Sequence, residues 1–291
     1  MRVLITGSNG QLGSEIKELA TNYDKIDCIF KDLPELDICN ADALDVFITD
    51  HNINVVINCA AYTAVDKAEK AADLAEQVNS TGVSNLVNVL EKINGKLIHI
   101  STDYVFDGNH LVPYKESDLV SPNGVYGKTK RAGELTVINS HIDAIVIRTS
   151  WLYSSNGNNF VKTMLRLGNE KKSLNVVSDQ IGTPTYARDL AKTCLEILCF
   201  ESSVNLNNNG DIYHYSNEGV TSWYEFATAI MELGNVNCKV VPVETKDYPT
   251  LAKRPKYSVL DKSKIKSDYE IIIPHWRDSL ESCIKKININ L

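Results

Sequence analysis

Positive charge is in short supply in this sequence of 291 residues: 30 Lys and Arg stand against 37 Asp and Glu, a formal net charge of -7. A phosphate backbone is met by clustered Lys and Arg, so this balance argues against a nucleic-acid module. Long apolar runs are missing too. No stretch approaches the ~18 residues that a membrane span needs, and the opening Val3-Leu4-Ile5 run is too short for a secretory signal. The expectation is a soluble, cytoplasmic protein with neither nucleic acid nor membrane as partner. Cysteine occurs seven times, without a C-x-x-C pair. An odd, scattered set in a chain long enough to need no covalent staples predicts buried free thiols. The six histidines are dispersed, and no H-x-x-x-H or H-E-x-x-H spacing puts two imidazoles on one helical face, so a zinc catalytic centre is not expected.

What is present is apolar substance and alternation. Hydrophobic residues make up 43% of the chain, ample for a core. Short β-branched runs at 3–6, 26–30, 55–59, 97–101 and 144–149 read as strands, and amphipathic stretches fill the gaps. Strands with few polar interruptions, each followed by a crossover helix, predict a doubly wound parallel sheet covered on both faces, an α/β fold of the Rossmann type. The longest helical pattern spans about 67–93, with Leu74, Val78, Leu86, Val89, Leu90 and Ile93 as its apolar positions against the sheet. Turn-forming residues at 154–159 and 205–210 mark loops. Between them 174–177 reads as a strand and 190–200 as a helix, and Ser222-Trp223-Tyr224-Glu225 opens a helix with a capping box. The predicted organisation is a nucleotide-binding domain over 1–150 with a return segment around 174–215. The remainder of 151–291 forms a smaller C-terminal α+β substrate lobe.

Directly after the first strand, Gly7-Ser8-Asn9-Gly10-Gln11-Leu12-Gly13 opens the first helix, the setting a dinucleotide phosphate loop requires. Gly7 suits a tight exit from the strand, Gly10 a close approach of backbone to pyrophosphate, and Gly13 close packing of the helix. Free N–H groups and the positive helix end then face the phosphates. Asp32 falls about twenty residues on, where an acid holds an adenosine ribose hydroxyl. Lys31 beside it suits a 2′-phosphate equally, so NADH and NADPH both remain open. Asp37 and Ile38 are candidates for adenine contact, a surface acid next to a core isoleucine being the alternative.

Tyr126 and Lys130 form a Y-x-x-x-K pair at the start of a helix, on one face and within mutual reach. At ~4 Å and an effective dielectric of ~20 their attraction is ~4 kcal/mol, roughly three pK units, enough to draw a phenol from ~10 towards neutrality. Such a phenol donates a proton near pH 7. The hydroxyl of Thr102, at the end of the fourth strand, suits a substrate carbonyl that Tyr126 protonates while a nicotinamide delivers hydride. Ser101 is expected to cap the strand or to hold Tyr126 or the nicotinamide ribose.

These residues converge on a family. The chain resembles the extended short-chain dehydrogenase/reductase superfamily over nearly its whole length. Within it, Ser101-Thr102-Asp103-Tyr104-Val105-Phe106-Asp107-Gly108 is similar to the signature of the dTDP-4-dehydrorhamnose reductases. So are Gly10-Gln11-Leu12-Gly13, Asn58-Cys59-Ala60-Ala61-Tyr62-Thr63-Ala64-Val65-Asp66, Arg148-Thr149-Ser150-Trp151-Leu152-Tyr153, Asp179-Gln180-Ile181-Gly182-Thr183-Pro184 and Lys253-Arg254-Pro255.

The resemblance implies an oxidoreductase that reduces the C4 ketone of a nucleotide sugar, dTDP-4-dehydro-β-L-rhamnose, with NADPH or NADH. It implies Tyr126 as proton donor, Lys130 as the anchor of the nicotinamide ribose, and Thr102 with Asp103 as sugar contacts. Gln11, Leu12, Ala60, Ala61 and Tyr62 would line the cofactor. Trp151 would lie against the hexose, where an indole offers an apolar face; a core tryptophan is the alternative. Arg254 would pair with the diphosphate, or form a solvated basic turn. Sugar-nucleotide dehydratases of this superfamily carry Asp-Glu after the Thr, whereas Tyr104 stands here in the glutamate's place, which favours reduction over elimination. A homodimer, and a Mg2+ at its contact with Glu15 and the shorter Asp189, are further implications. The alternatives are another nucleotide 4-ketosugar, or a non-catalytic dinucleotide-binding regulatory subunit.

Overall fold

The computed structural model describes residues 1–200 and 209–289. Its first half alternates in the expected way: β1 (Arg2–Thr6), α1 (Gln11–Leu19), β2 (Asp27–Lys31), α2 (Ala41–Asp50), β3 (Val55–Asn58), α3 (Val65–Ala68), α4 (Ala72–Glu76), α5 (Gly82–Ile93), β4 (Lys96–Thr102), α6 (Val125–Ile138) and β5 (Asp143–Thr149). The second half runs β6 (Leu152–Tyr153), α7 (Phe160–Glu170), β7 (Ser173–Val177), β8 (Ile181–Gly182), β9 (Thr185–Tyr186) and α8 (Ala187–Cys199). It continues with β10 (Asn209–Tyr215), β11 (Thr221–Ser222), α9 (Trp223–Leu233), β12 (Lys239–Val243), α10 (Ser263–Tyr269) and α11 (Trp276–Ile289).

Six strands form one sheet in the order β10-β5-β4-β3-β1-β2, every pairing parallel. Side chains alternate across it. Val3, Ile5, Ile57, Ile98, Ile145 and Ile147 meet Leu190, Cys194 and Leu195 of α8 on one face. Leu4, Val56, Leu97 and Val146 meet Leu44 and Ile48 of α2 and Val83, Leu86 and Leu90 of α5 on the other. Two apolar faces need two helical layers, so the doubly wound Rossmann-like arrangement follows from the composition of the strands. Strand order reverses between β1 and β3, and this opens a crevice at the carboxyl ends of the strands.

A separate core gathers Tyr153, Val161, Met164, Leu174, Val176, Phe226, Ile230, Trp276 and Leu280. Here the capping box at Ser222 forms in full, with Glu225 N donating to Ser222 Oγ at 3.1 Å and Ser222 N to Glu225 Oε2 at 2.8 Å. The seven cysteines are free thiols, but only Cys194, Cys238 and Cys283 are buried; Cys28, Cys39 and Cys59 are partly buried and Cys199 is exposed.

Two expectations about the elements need correction. Residues 174–177 do not return to the sheet: β7 pairs with β12, and its alternating exposure suits a strand wet on one face. What returns is α8 and β10. The helix expected over 67–93 is broken into α3, α4, a π-helical turn at Gln77–Thr81 and α5. Leu74 is half exposed and lines the crevice instead of the sheet, whereas Val78 lines the crevice and also packs against the core under α2 and α5. Of the loop expected over 205–210, residues 205–208 lie outside the described residues. No helix among the described residues is long and apolar enough to cross a membrane.

Candidate active site

The crevice is a cleft of about 760 Å³ lined by Gly7, Gly10, Gln11, Leu12, Asp32, Asp37, Ile38, Ala60, Ala61, Tyr62, Thr102, Asp103, Tyr126, Lys130 and Trp151, among others. Of the residues singled out in the sequence for cofactor or substrate, Gly13, Lys31 and Arg254 stand off its wall. Gly13 packs against the Gly7–Ser8 backbone behind the loop. At the glycine loop, Gly7 has φ +60°, and a Cβ there would sit 2.6 Å from Ala60 N. Only glycine makes that turn this close to the end of β3. No side chain caps α1, so the first-turn N–H groups keep their capacity to donate. Gln11 Oε1 is buried without a hydrogen-bond partner. A glycine cradle, an uncapped helix end and an orphaned amide oxygen along one cleft fit a dinucleotide.

At the end of β2, Asp32 accepts from Asn9 N and Leu33 N, both at 2.8 Å, and so ties the glycine loop to the sheet. Lys31 turns away to Glu35 at 3.0 Å. Asp37 accepts from Cys39 N at 2.8 Å, and Ile38 is buried. Tyr62, which follows Ala60 and Ala61, is held from behind by Asn79 of the π-helical turn. Its amide accepts from Tyr62 N at 2.8 Å and donates to Tyr62 O and Thr129 Oγ1, both at 3.1 Å. The broken helix thus serves to aim one buried asparagine. Sequence reasoning missed it; nothing in the sequence sets Asn79 apart from its polar neighbours Gln77, Ser80 and Thr81.

Tyr126 lies in the first turn of α6, whose N-terminus is capped from elsewhere, Val125 N donating to Glu69 Oε1 at 2.9 Å. The Tyr126 ring meets Tyr104 edge-on at 5.5 Å. Burial pushes the Tyr126 phenol above its usual range, against a smaller downward pull from the Thr102 hydroxyl; the charge of Asp103 adds to the rise. This corrects the expectation of a phenol tuned towards neutrality by Lys130. The i, i+4 spacing puts both residues on one face, but the Lys130 ammonium turns to β4, donating to Ile100 O at 2.6 Å, with His99 Nε2 at 3.4 Å. Burial pushes Lys130 down to about 8, offset in part by the charges of Glu134 and Cys59.

Thr102 donates to Asp103 Oδ1 at 3.0 Å and accepts from Tyr104 N at 3.3 Å. Asp103 Oδ2 is buried without a partner. Burial pushes Asp103 up to about 6, and the neighbouring Ser258 and Thr102 hydroxyls temper the rise.

Trp151 sits at φ +47°, a left-handed conformation costing a non-glycine residue roughly 1–2 kcal/mol. The turn sends its indole to the cleft, but one face is taken: Trp223 stacks on it with centroids 3.7 Å apart. A Cβ at position 182 would lie 2.7 Å from Trp151 Cε2, so glycine there makes room for the ring. Arg254 is also committed. Its NH2 donates to Asp66 Oδ2 at 2.7 Å, and its NH1 stands 3.4 Å from Tyr104 OH. The partner could not be read from sequence, because Asp66 lies 188 residues away.

The two carboxylates considered for Mg2+ are engaged separately. Glu15, fully buried, accepts from Ser154 Oγ at 2.6 Å, Lys286 Nζ at 2.9 Å and Arg188 NH1 at 3.1 Å. Asp189 accepts from Asn217 and Ser279. Among the described residues no three His, Cys, Asp or Glu side chains are grouped to hold a metal.

The chain matches the family model for the RmlD substrate binding domain over residues 1–289. It is 42% identical over 288 residues to a dTDP-4-dehydrorhamnose reductase of Aggregatibacter actinomycetemcomitans, covering 97% of both chains. A solved structure described as a dTDP-4-dehydrorhamnose reductase, from Clostridium acetobutylicum, superposes with TM-score 0.93 at 42% identity, covering 99% of this chain and 100% of that one. Another so described, from Bacillus anthracis in complex with NADP, gives TM-score 0.91 at 39% identity, covering 98% and 99%. A matched model over almost the full length, relatives alike end to end, and a cleft assembled from the same motifs place this chain in the RmlD substrate binding domain family.

Proposed function

We propose that this protein is a dTDP-4-dehydrorhamnose reductase, converting the C4 ketone of dTDP-4-dehydro-β-L-rhamnose to the alcohol of dTDP-β-L-rhamnose. The observation that carries the reading is the convergence of Thr102, Tyr126 and Lys130 on one cleft with the glycine loop. A dihydronicotinamide, when bound, supplies hydride to C4 and leaves oxidised. The oxygen then needs one proton. Tyr126 gives it: a phenol held fully protonated is a sound donor to an alkoxide, which is the stronger base whether or not the phenol is tuned to neutrality. Thr102 orients the ketone, and Asp103 offers its unpartnered oxygen to a sugar hydroxyl. Lys130 holds the nicotinamide ribose. The uncommitted face or edge of Trp151 meets the hexose, and Arg254 exchanges Asp66 for the diphosphate. The NADP bound to the Bacillus anthracis relative supports NADPH as cofactor, while Asp32 at the end of β2 keeps NADH in play. Both cofactor and sugar nucleotide accord with a cytoplasmic site of action.

The test is a coupled assay in which the ketosugar is made in situ and NADPH or NADH absorbance is followed, with product NMR. Loss of absorbance with dTDP-L-rhamnose as product is expected. Tyr126→Phe is expected to lower turnover at least 100-fold with cofactor affinity nearly unchanged. Cofactor binding by the wild type without ketosugar reduction would overturn the reading.

A further inference from the structure

A buried polar chain crosses the sheet behind the cleft. Thr6 Oγ1 lies 2.7 Å from Asn58 Oδ1, Asn58 Nδ2 lies 3.1 Å from His99 Nδ1, and His99 Nε2 lies 3.4 Å from Lys130 Nζ. Thr6, Asn58 and His99 are register partners on β1, β3 and β4. They therefore stand side by side on one face of the sheet, the face covered by α5 and α6. Asn58 and His99 are wholly buried, and Thr6 and Lys130 nearly so. Polar groups in such a layer cost desolvation unless each is satisfied, and apolar residues of like size would fill the space at no such cost. The row begins beside the glycine loop and ends on Lys130.

We propose that His99, backed by Asn58 and Thr6, is a positioning residue for Lys130: its Nε2 accepts from the ammonium and fixes where that ammonium points. This rests on the role given to Lys130 above. Burial and the adjacent ammonium hold His99 well below its ordinary range, so the ring is neutral. A neutral imidazole donates through one nitrogen and accepts through the other. With Lys130 charged, Nε2 accepts and Nδ1 carries the proton, which requires the Asn58 amide to turn over from the orientation in the structure, so that its carbonyl faces Nδ1 and its N–H faces Thr6. The orientation in the structure is that of a neutral Lys130: Thr6 donates to Asn58 Oδ1, Asn58 Nδ2 to Nδ1, and Nε2–H to the amine. One proton on Lys130, with the His99 tautomer and a half-turn of the Asn58 amide following it, thus sets the direction of the whole row. The groups around Lys130 are His99 and the Ile100 carbonyl from β4, Cys59 beyond β3, and Tyr126 and Glu134 one turn to either side on α6. Glu134 is itself paired with Arg148 and Arg131.

The experiment reads Lys130 directly. Trace acetylation of the full-length protein across pH 6–10, followed by mass spectrometry, gives the titration of Lys130 with or without turnover. In parallel, the alkaline limb of kcat/KM is recorded. Removing the acceptor disfavours the ammonium, so His99→Leu is expected to move the Lys130 titration down by about one pH unit, leaving about fivefold less ammonium at pH 8. His99→Gln, which returns an acceptor oxygen, is expected to recover at least half of that. Thr6→Val is expected to shift it in the same direction by less. The alkaline limb should move with the titration. An unmoved Lys130 in a His99 variant that is folded by circular dichroism overturns the proposal. If neither His99 variant folds, Thr6→Val decides, and no shift there overturns it equally. A shifted titration in a protein without reductase activity upholds the row and sinks the reaction assignment instead.

Discussion

At the scale of the residue, Asp103 shows how this site stores cost. Its carboxyl is raised from the usual 3.8 to about 6 by burial. Between those values the folded protein binds the proton and the unfolded chain does not, so stability falls as pH rises through that window, by about 3 kcal/mol in all. Asp103→Asn removes the ionisation. The variant is expected to melt at or above the wild type at pH 7–8 by calorimetry, while kcat/KM falls at least tenfold and the acid limb near pH 6 disappears. A variant that melts well below the wild type at pH 8 would contradict this account. Residues like this one are legible in part. Thr102, Asp103, Tyr126 and Lys130 announce themselves by spacing and motif, but spacing gives a shared face and not a partner. The spacing makes Lys130 the tuner of Tyr126, yet the buried backbone offers its ammonium Ile100 O instead. His99 and Asn58 carry no signal beyond being polar in apolar strands.

At the scale of the element, α6 is fastened to β5 by a buried ion pair. Arg148 donates to Glu134 through Nε and NH2, both at 2.8 Å, with neither side chain exposed, and Arg131 adds a third bond at 2.8 Å. Although burial alone would raise it, the Arg148 guanidinium holds Glu134 below the usual carboxylate range. The pair's contribution is therefore present above the usual range and is lost as pH falls through the lowered value. Glu134→Ala strands the arginine and is expected to cost about 3–5 kcal/mol in urea unfolding, whereas Glu134→Leu with Arg148→Met is expected to recover most of it. A double variant as weak as the single one would mean that packing, not charge, dominates. The strands of the sheet were readable because buried parallel strands are written in Val and Ile. The long helix is hard to read because Leu74 keeps helical spacing while facing the cleft and Val78 keeps it while meeting both cleft and core, and periodicity does not say which apolar surface a residue meets. β7 was misassigned because its alternation fits any sheet, and its partner β12 lies far along the chain.

At the scale of the whole molecule, Glu15 is the point where distant parts of the chain meet. Its carboxylate gathers the loop at Ser154, Arg188 of α8 and Lys286 of α11 against α1. Both cations also reach Glu18, at 3.0 and 2.6 Å. Glu15→Ala leaves two partly exposed cations with Glu18 alone, and the expected loss is on the order of 2–3 kcal/mol, a fall of several degrees in thermal midpoint. An unchanged midpoint would show that the cluster is incidental to stability.

The same cluster sets an order of events at the ribosome. Polypeptides emerge N-terminus first, and domains close when their last contacts become available. The glycine loop and α1 are made long before α11, yet the lysine that bonds Glu15 at 2.9 Å is residue 286. Until that residue clears the exit tunnel, a carboxylate destined for complete burial lacks one of its two counter-charges. One partner of α1 is thus made some 270 residues after it, and a nascent chain halted before α11 carries Glu15 without Lys286.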